Sequence, residues 1–169
     1  MAYQSVNPYN GKVFKIYPYL DDPQLDLAIA TAQTSYQNWK LLSYSDRGVI
    51  VAKAAKILHE RADEFAQLET TEMGKLIGEA RGEVNYSADI LAYYAEHAEK
   101  FLRPEKLHPD HGEAHMESSP IGVIFGVEPW NCPYYQFARV AGPQLMAGNV
   151  VMVKHAGCVP QCAIAFEKL

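Results

Sequence analysis

Residues 120–154 read PIGVIFGVEPWNCPYYQFARVAGPQLMAGNVVMVK, and this stretch decides the fold. Val123–Val127 is a short apolar run rich in β-branched residues, typical of a strand covered on both faces in a parallel sheet. Apolar residues at helical spacing follow, and Pro143 is expected to kink or shorten that helix before Gly148 closes it. Val150–Val153 is a second apolar strand. The pattern predicts an α/β fold with a strand–helix–strand unit, a crossover that is almost always right-handed.

Residues 21–103 carry the periodicity of helices. Asp22, which a proline follows, is expected to cap the first helix. Ser45 is expected to cap a second, whose apolar stripe repeats every three or four residues as far as the helix-ending Gly74. A third apolar stripe continues until Pro104 breaks it. The sequence therefore predicts three helices ahead of the strand–helix–strand unit.

Two segments outside the helices are predicted to be extended. Val13–Tyr17 is a short β-prone stretch after a turn. Residues 107–119 contain His108, His111 and His115, and a helix would be needed to bring histidines four apart onto one face for a metal. The proline, the glycine and the alternating pattern there favour a turn and an exposed strand, solvated or facing another subunit. We therefore predict no metal site.

Composition narrows the class of protein. The apolar fraction of 49% and the charged fraction of 21% are those of a globular chain. A net charge of -5 with scattered basic residues argues against nucleic-acid binding. No apolar run is long enough for a membrane span. The N-terminus lacks the pattern of a secretory signal, and three cysteines do not make a disulfide framework, so we expect a cytoplasmic enzyme.

Polar residues stand where the two predicted strands end. Asn131 follows the first strand and Lys154 ends the second, and open α/β sheets bind their ligands beyond these carboxyl ends. No Gly-x-Gly-x-x-Gly motif follows either strand, so the usual dinucleotide fingerprint is missing. The residues by themselves predict an α/β domain of the nucleotide-binding type.

Several motifs occur together in this stretch: Pro120-x-Gly122, Pro129-Trp130-Asn131-x-Pro133, Gly142-Pro143-x-Leu145-x-x-Gly148-Asn149 and Val153-Lys154. In their order and spacing they resemble the aldehyde dehydrogenase superfamily, and the helical lead-in agrees with its N-terminal region. The resemblance implies the first part of a Rossmann-like NAD(P)-binding domain, an incomplete fold without the catalytic domain. It divides the chain into a helical part (1–106), an oligomerisation element (107–119) and a strand–helix–strand part (120–169). It also implies a homodimer or homotetramer.

The resemblance assigns roles at the strand ends. Asn131 matches the family's oxyanion-hole asparagine, whose amide donates to the oxygen charge that develops on the aldehyde; the alternative is a simple helix cap. Lys154 matches the lysine that holds the adenosine ribose or a 2′-phosphate; the alternative is a solvated lysine. Further positions along the cofactor are Val127, Glu128, Pro129, Trp130 and Ala156.

The residues after Lys154 bear on the choice of cofactor. The family's usual Lys-Pro-Ala/Ser-Glu continuation is replaced by Lys154-His155-Ala156-Gly157, so the carboxylate that often binds the 2′-hydroxyl of NAD is missing. Without that negative charge a 2′-phosphate is acceptable. The resemblance therefore implies NAD or NADP.

The same continuation resembles the bacterial succinate-semialdehyde dehydrogenases. Arg139 stands eight residues after Asn131, about two helical turns along the helix. In that branch an arginine at this position binds the substrate's distal carboxylate, a task that suits a bidentate guanidinium; the alternative is a salt-bridged surface arginine. Tyr135 and Gln136 are expected to line the same tunnel. Broader or glutarate-semialdehyde specificity stays open.

The family's nucleophilic cysteine and its water-activating glutamate are expected beyond these residues. Cys132 is expected to line the tunnel, and Cys158 and Cys162 match no nucleophile motif. We therefore expect these 169 residues alone to be inactive in aldehyde oxidation. A different class of function, a non-catalytic nucleotide-binding or assembly module that pairs through the strand near residues 114–117, stays open.

Overall fold

The computed structural model describes residues 3–169. In chain order its elements are β1 (Tyr3–Val6), β2 (Val13–Tyr17), α1 (Asp22–Trp39), α2 (Tyr44–Glu60), α3 (Ala62–Met73), α4 (Ile77–Leu102), β3 (Glu105–Leu107), β4 (Ala114–Met116), β5 (Val123–Val127), α5 (Pro133–Met146), β6 (Val150–Lys154) and α6 (Pro160–Glu167). The α/β fold with a helical lead-in is confirmed.

Helix α4 forms the centre of the core. Its buried apolar positions recur three, four or seven residues apart and face α2, α3 and α5; they are Ala80, Val84, Ala88, Leu91 and Ala98. Helices α2 and α4 approach closely at Gly48, where an added Cβ would lie 2.9 Å from the backbone oxygen of Ala95. The small side chains on α4 thus allow three helices to pack against it.

The helix boundaries differ from the sequence prediction in two ways. The caps are Asp21 and Ser43 instead of Asp22 and Ser45, because each side chain accepts from the backbone N–H three residues later in a capping box. The predicted second helix is two helices, α2 and α3, divided at Arg61. This one-residue break leaves the apolar stripe in phase, so the hydrophobic pattern could not reveal it. Gly74 ends α3 in the left-handed conformation, as predicted.

The short strands form two antiparallel hairpins. β2 coincides with the predicted Val13–Tyr17 stretch and pairs with β1, which was not predicted. β4 confirms an extended strand within residues 107–119, and its partner β3 crosses the predicted boundary at residue 106. Leu107 and Met116 on this hairpin are exposed. The β3–β4 hairpin therefore presents apolar side chains on the surface of the described chain.

β5 and β6 pair in parallel and α5 connects them, which confirms the predicted strand–helix–strand unit. The helix continues past Pro143 to Met146. Within residues 3–169 strand β5 is not covered on both faces, since Phe125 and Val127 are 64% and 69% exposed, as expected where the rest of a parallel sheet is not part of these residues. Only α1 and α5 contribute substantial packing against this two-stranded sheet in the described chain.

The C-terminal end of α5 is held by side chains from the helical lead-in. Trp39 Nε1 donates to the carbonyl oxygen of Leu145 at 2.8 Å, and Arg47 Nε donates to that of Met146 at 3.1 Å. Arg47 is buried, and burial lowers the pKa of its guanidinium. Carbonyl groups in the last turn of a helix have no partner within the helix, so Trp39 and Arg47 satisfy two acceptors at the end of α5.

Candidate functional site

The candidate site lies at the carboxyl ends of β5 and β6. Val127 and Lys154, the last residues of the two strands, are direct partners in the parallel register. The backbone N–H of Glu128 then donates to the carbonyl oxygen of Lys154 at 3.1 Å. The two strands therefore end level with each other, and the residues that follow them share one edge of the sheet, where open α/β sheets bind ligands.

Asn131 stands one residue before Cys132, the N-cap of α5. Its side chain is exposed, and within residues 3–169 its amide makes no hydrogen bond. The cap itself has no side-chain hydrogen bond to the first turn. Asn131 therefore does not serve as a helix cap, and its amide can donate to a group outside these residues.

The residues expected to contact a nucleotide surround the strand ends. Lys154 is exposed, its ammonium donates to the carbonyl oxygen of the next residue, and no carboxylate within residues 3–169 forms an ion pair with it. Val127 and Trp130 are exposed as well. Pro129 is exposed, whereas Glu128 and Ala156 are half-buried. A cation beside apolar side chains is an arrangement that fits a nucleotide, whose phosphate is anionic and whose base has apolar ring faces.

The side chains expected to face the substrate form a stack on α5. The guanidinium of Arg139 lies over the ring of Tyr135, 5.6 Å from its centroid. The ring of Tyr86 in α4 also stacks on Tyr135, with centroids 5.7 Å apart and an interplanar angle of 16°. Arg139 is exposed and makes no ion pair within residues 3–169. Gln136 is half-buried on the same helix.

Tyr86 was not predicted as a site residue. With Tyr93 and Tyr94 it could form a ligand-stacking face, but its helical spacing favours a core or rim position, and its partner Tyr135 is far away in sequence. It is 57% exposed, so it does not belong to the core. Tyr86 therefore extends the aromatic surface beside Arg139.

A buried charged cluster, made of Glu69, Lys75 and Glu83, lies behind α5. The ammonium of Lys75 is 2.7 Å from Oε1 of Glu69, contacts Oε2 of Glu83 and lies 3.4 Å from Sγ of Cys132. The other oxygen of Glu83 accepts from the backbone N–H of Tyr135 at 3.2 Å. This cluster, which the sequence did not reveal, joins α3, α4 and the start of α5.

The charges in the cluster influence one another. Burial, with a smaller contribution from the nearby Glu83, raises the pKa of Glu69 to about 8 against the opposing effect of Lys75. No donor within residues 3–169 is aligned for a hydrogen bond to either oxygen of Glu69. Burial lowers the pKa of Lys75, but the two carboxylates outweigh burial and raise it above its usual range. The cluster therefore holds an ammonium and one carboxyl group that favours its neutral form.

The three cysteines are free thiols. Burial raises the pKa of each of them, of Cys162 far above its usual value, and Glu83 adds to the effect at Cys132. A cysteine nucleophile acts as the thiolate, which requires a lowered pKa. None of these thiols has the environment of an activated nucleophile.

Two further features of residues 3–169 concern metals and membranes. The described residues contain no group of three or more His, Cys, Asp or Glu side chains that could hold a metal ion. None of the helices that they form combines the length and apolar character of a bilayer span.

Comparison with known proteins identifies the family. The sequence model of the aldehyde dehydrogenase family matches residues 1–169. The chain belongs to the aldehyde dehydrogenase family. The site at the ends of β5 and β6 can therefore be compared with members of this family.

Individual relatives show how much of such an enzyme the chain represents. The NADP(+) succinate-semialdehyde dehydrogenase of Deinococcus radiodurans is 42% identical over 167 residues, which make up 99% of this chain and 35% of that protein. The structure of succinic semialdehyde dehydrogenase from Streptococcus pyogenes with NADP+ matches with a TM-score of 0.95 at 38% identity, over 99% of this chain and 37% of that one. Gox0499, studied for its selection of cofactor and substrate, matches with a TM-score of 0.98 at 45% identity, again over 99% and 37%. The chain spans about a third of the length of the curated relatives.

Proposed function

We propose that the protein containing this chain oxidises succinate semialdehyde to the carboxylic acid with NADP+ or NAD+. The observation that carries the proposal is the position of Arg139 on α5, two helical turns from Asn131, stacked on Tyr135 and without a carboxylate partner in residues 3–169. Relatives that carry the name succinate-semialdehyde dehydrogenase support it. Oxidation of glutarate semialdehyde or of a broader set of aldehydes is the alternative.

In this proposal the residues of α5 bind and orient the aldehyde. Arg139 binds the distal carboxylate of the substrate through its guanidinium, and the ring of Tyr135, on which Tyr86 stacks, limits the directions in which the arginine can point. Gln136 lines the tunnel through which the aldehyde reaches these residues. The amide of Asn131 donates to the aldehyde oxygen as negative charge develops on it, a contribution of about 3 to 4 kcal/mol to the transition state.

Lys154 and the residues after β5 hold the nucleotide. The ammonium of Lys154 binds the ribose hydroxyls or a 2′-phosphate, and the exposed side chains of Val127 and Trp130 offer apolar contact, with Glu128, Pro129 and Ala156 beside them. The bound nucleotide accepts the hydride that oxidation of the aldehyde releases. The absence of an acidic residue from Lys154 to Gly157 allows NADP+ as well as NAD+.

The proposal places the nucleophilic cysteine and the general base outside residues 1–169, so these residues alone do not oxidise aldehydes. The raised pKa of Cys132, Cys158 and Cys162 supports this assignment. We also propose a cytoplasmic homodimer or homotetramer in which the β3–β4 hairpin contributes to subunit contacts. The exposed apolar side chains of that hairpin support such a role.

The test is substrate selection by the intact protein. NAD(P)H formation is measured with succinate semialdehyde and with a neutral aldehyde of the same chain length, for the wild type and for Arg139→Ala. Loss of a bidentate contact to a carboxylate is expected to lower kcat/KM for the carboxylated aldehyde roughly 10- to 100-fold and to leave the neutral one unchanged.

Arg81→Ala is the matched control, since Arg81 is also an exposed arginine in a helix but pairs with Asp63 at 2.5 Å, away from α5. It is expected to retain the selectivity of the wild type. An Arg139→Ala enzyme that still prefers the carboxylated aldehyde would rule out the proposed role of this arginine.

A further inference from the structure

The first turn of α5 lacks a cap from its own segment. Its N-cap, Cys132, makes no side-chain hydrogen bond to the helix, and Pro133 at the first position has no N–H. The N–H of Tyr135 would therefore lack a partner. Its acceptor is Oε1 of Glu83 in α4, at 3.2 Å and 52 residues away in sequence. A carboxylate at this end of a helix is also favoured by the helix dipole.

Lys75 holds the capping carboxylate in place. Its ammonium contacts the second oxygen of Glu83, Oε1 of Glu69 at 2.7 Å and Sγ of Cys132 at 3.4 Å. The side chains of Lys75, Glu69 and Glu83 are only 13%, 0% and 7% exposed. Charge pairs shielded from water interact more strongly than surface pairs, so Lys75 restrains the carboxylate of Glu83. Lys75 therefore contacts both Glu83, whose carboxylate accepts from the first turn of α5, and Cys132, the N-cap residue of that helix.

Each residue proposed above for the aldehyde lies on α5 or immediately before it, apart from Tyr86. Asn131 directly precedes the N-cap, and Tyr135, Gln136 and Arg139 follow within the first two turns. A shift of this N-terminus moves all of them relative to the strand ends. Misplacement of reacting groups by about 1 Å can lower a rate about 100-fold.

We propose that Glu83, held by Lys75 and Glu69, is a positioning residue that fixes the first turn of α5 and with it the amide of Asn131. This inference rests on the proposed function, because it assigns Glu83 an effect on the placement of the oxyanion donor. A purely structural role would stabilise the packing of α4 on α5 without affecting the chemical step.

The kinetic test compares Glu83→Ala and Glu83→Gln in the intact protein. The alanine variant is expected to lower kcat about 100-fold while KM for the nucleotide stays within about twofold, because Lys154 is not part of this support. The glutamine variant retains a carbonyl oxygen that can accept from the N–H of Tyr135, so its kcat is expected to fall less than that of the alanine variant. Glu79→Gln, at an exposed position one turn earlier in α4, is the matched control and should leave kcat unchanged.

Amide hydrogen exchange provides a readout that does not depend on activity. Exchange at Tyr135 is expected to be at least about tenfold faster in Glu83→Ala than in the wild type, while exchange in α6 stays the same. Lys75→Met and Glu83→Gln test the same support where the alanine variant does not fold, and both are expected to give a smaller acceleration at Tyr135.

The outcomes separate the two proposals. Unchanged exchange at Tyr135 would overturn the capping contact. Faster exchange with unchanged kcat would overturn the positioning role, and so would an equal acceleration throughout the protein. A wild-type protein that shows no NAD(P)-linked aldehyde oxidation would reject the proposed function, and the positioning role with it; exchange at Tyr135 then still reports the capping contact itself.

Discussion

Replacing Gly48 by alanine is expected to destabilise the protein even though alanine is the better helix former. An added Cβ would lie 2.9 Å from the carbonyl oxygen of Ala95 and 3.7 Å from Cε of Met146. An ordinary contact begins at 3.4 Å, so two helix backbones must separate by about 0.5 Å. Overpacking of this kind costs about 1 to 3 kcal/mol, and the gain in helix propensity is about 1 kcal/mol. The expected net loss is about 1 kcal/mol.

The matched control is Gly82→Ala in α4, where an added Cβ meets nothing within 4 Å. Here only the propensity term remains, so a gain of up to about 1 kcal/mol is expected. The apparent midpoint of thermal unfolding of the intact protein measures both variants, and each kcal/mol corresponds to about 2 to 4 °C for a domain of this size. If Gly48→Ala raises the midpoint as much as Gly82→Ala does, the close approach of α2 and α4 is refuted.

Two further predictions concern buried glutamates. Glu72→Gln is expected to lower the free energy of opening of the first turn of α6 by about 2 kcal/mol. Glu72 accepts from the N–H groups of Gln161 and Cys162 at 2.9 and 3.0 Å, and an amide has only one oxygen to accept from them. Amide exchange there should become faster, and unchanged exchange would contradict the cap. Glu69→Gln is expected to change stability little at pH 4 and to stabilise at pH 8, because the raised pKa of about 8 makes the folded wild type lose stability as pH rises from about 4.5 to 8. The measurement is the free energy of unfolding of the wild type and of Glu69→Gln at pH 4 and pH 8; a difference between the two proteins that does not vary with pH would refute the raised pKa.

The local parts of the fold could be predicted from the sequence. Strands β5 and β6 each appear as a short apolar run and helix α5 as a helical repeat of apolar residues, and the positions of Asn131 and Lys154 follow directly from the strand ends. The division at Arg61 could not be predicted, since a single residue between two helices does not disturb the apolar repeat.

The charged cluster was missed because its contacts join residues far apart in sequence. A glutamate in a helical segment ordinarily indicates a solvated face, yet Glu69 and Glu72 are buried. One signal was available: they continue the stripe of Ala62 and Phe65 at spacings of three and four residues. Acidic residues in apolar positions of an amphipathic helix indicate buried carboxylates with partners elsewhere.

The side chains that hold the ends of α5 and α6 all precede these helices in the chain. Trp39 and Arg47 complete the last turn of α5, Glu83 caps its first turn, and Glu72 caps α6. Helices of 14 and 8 residues are marginal in water without such partners. A ribosome releases the partners first, so α5 and α6 emerge onto a surface that already offers their donors and acceptors. Vectorial synthesis thus delivers the segments in the order in which they can become stable.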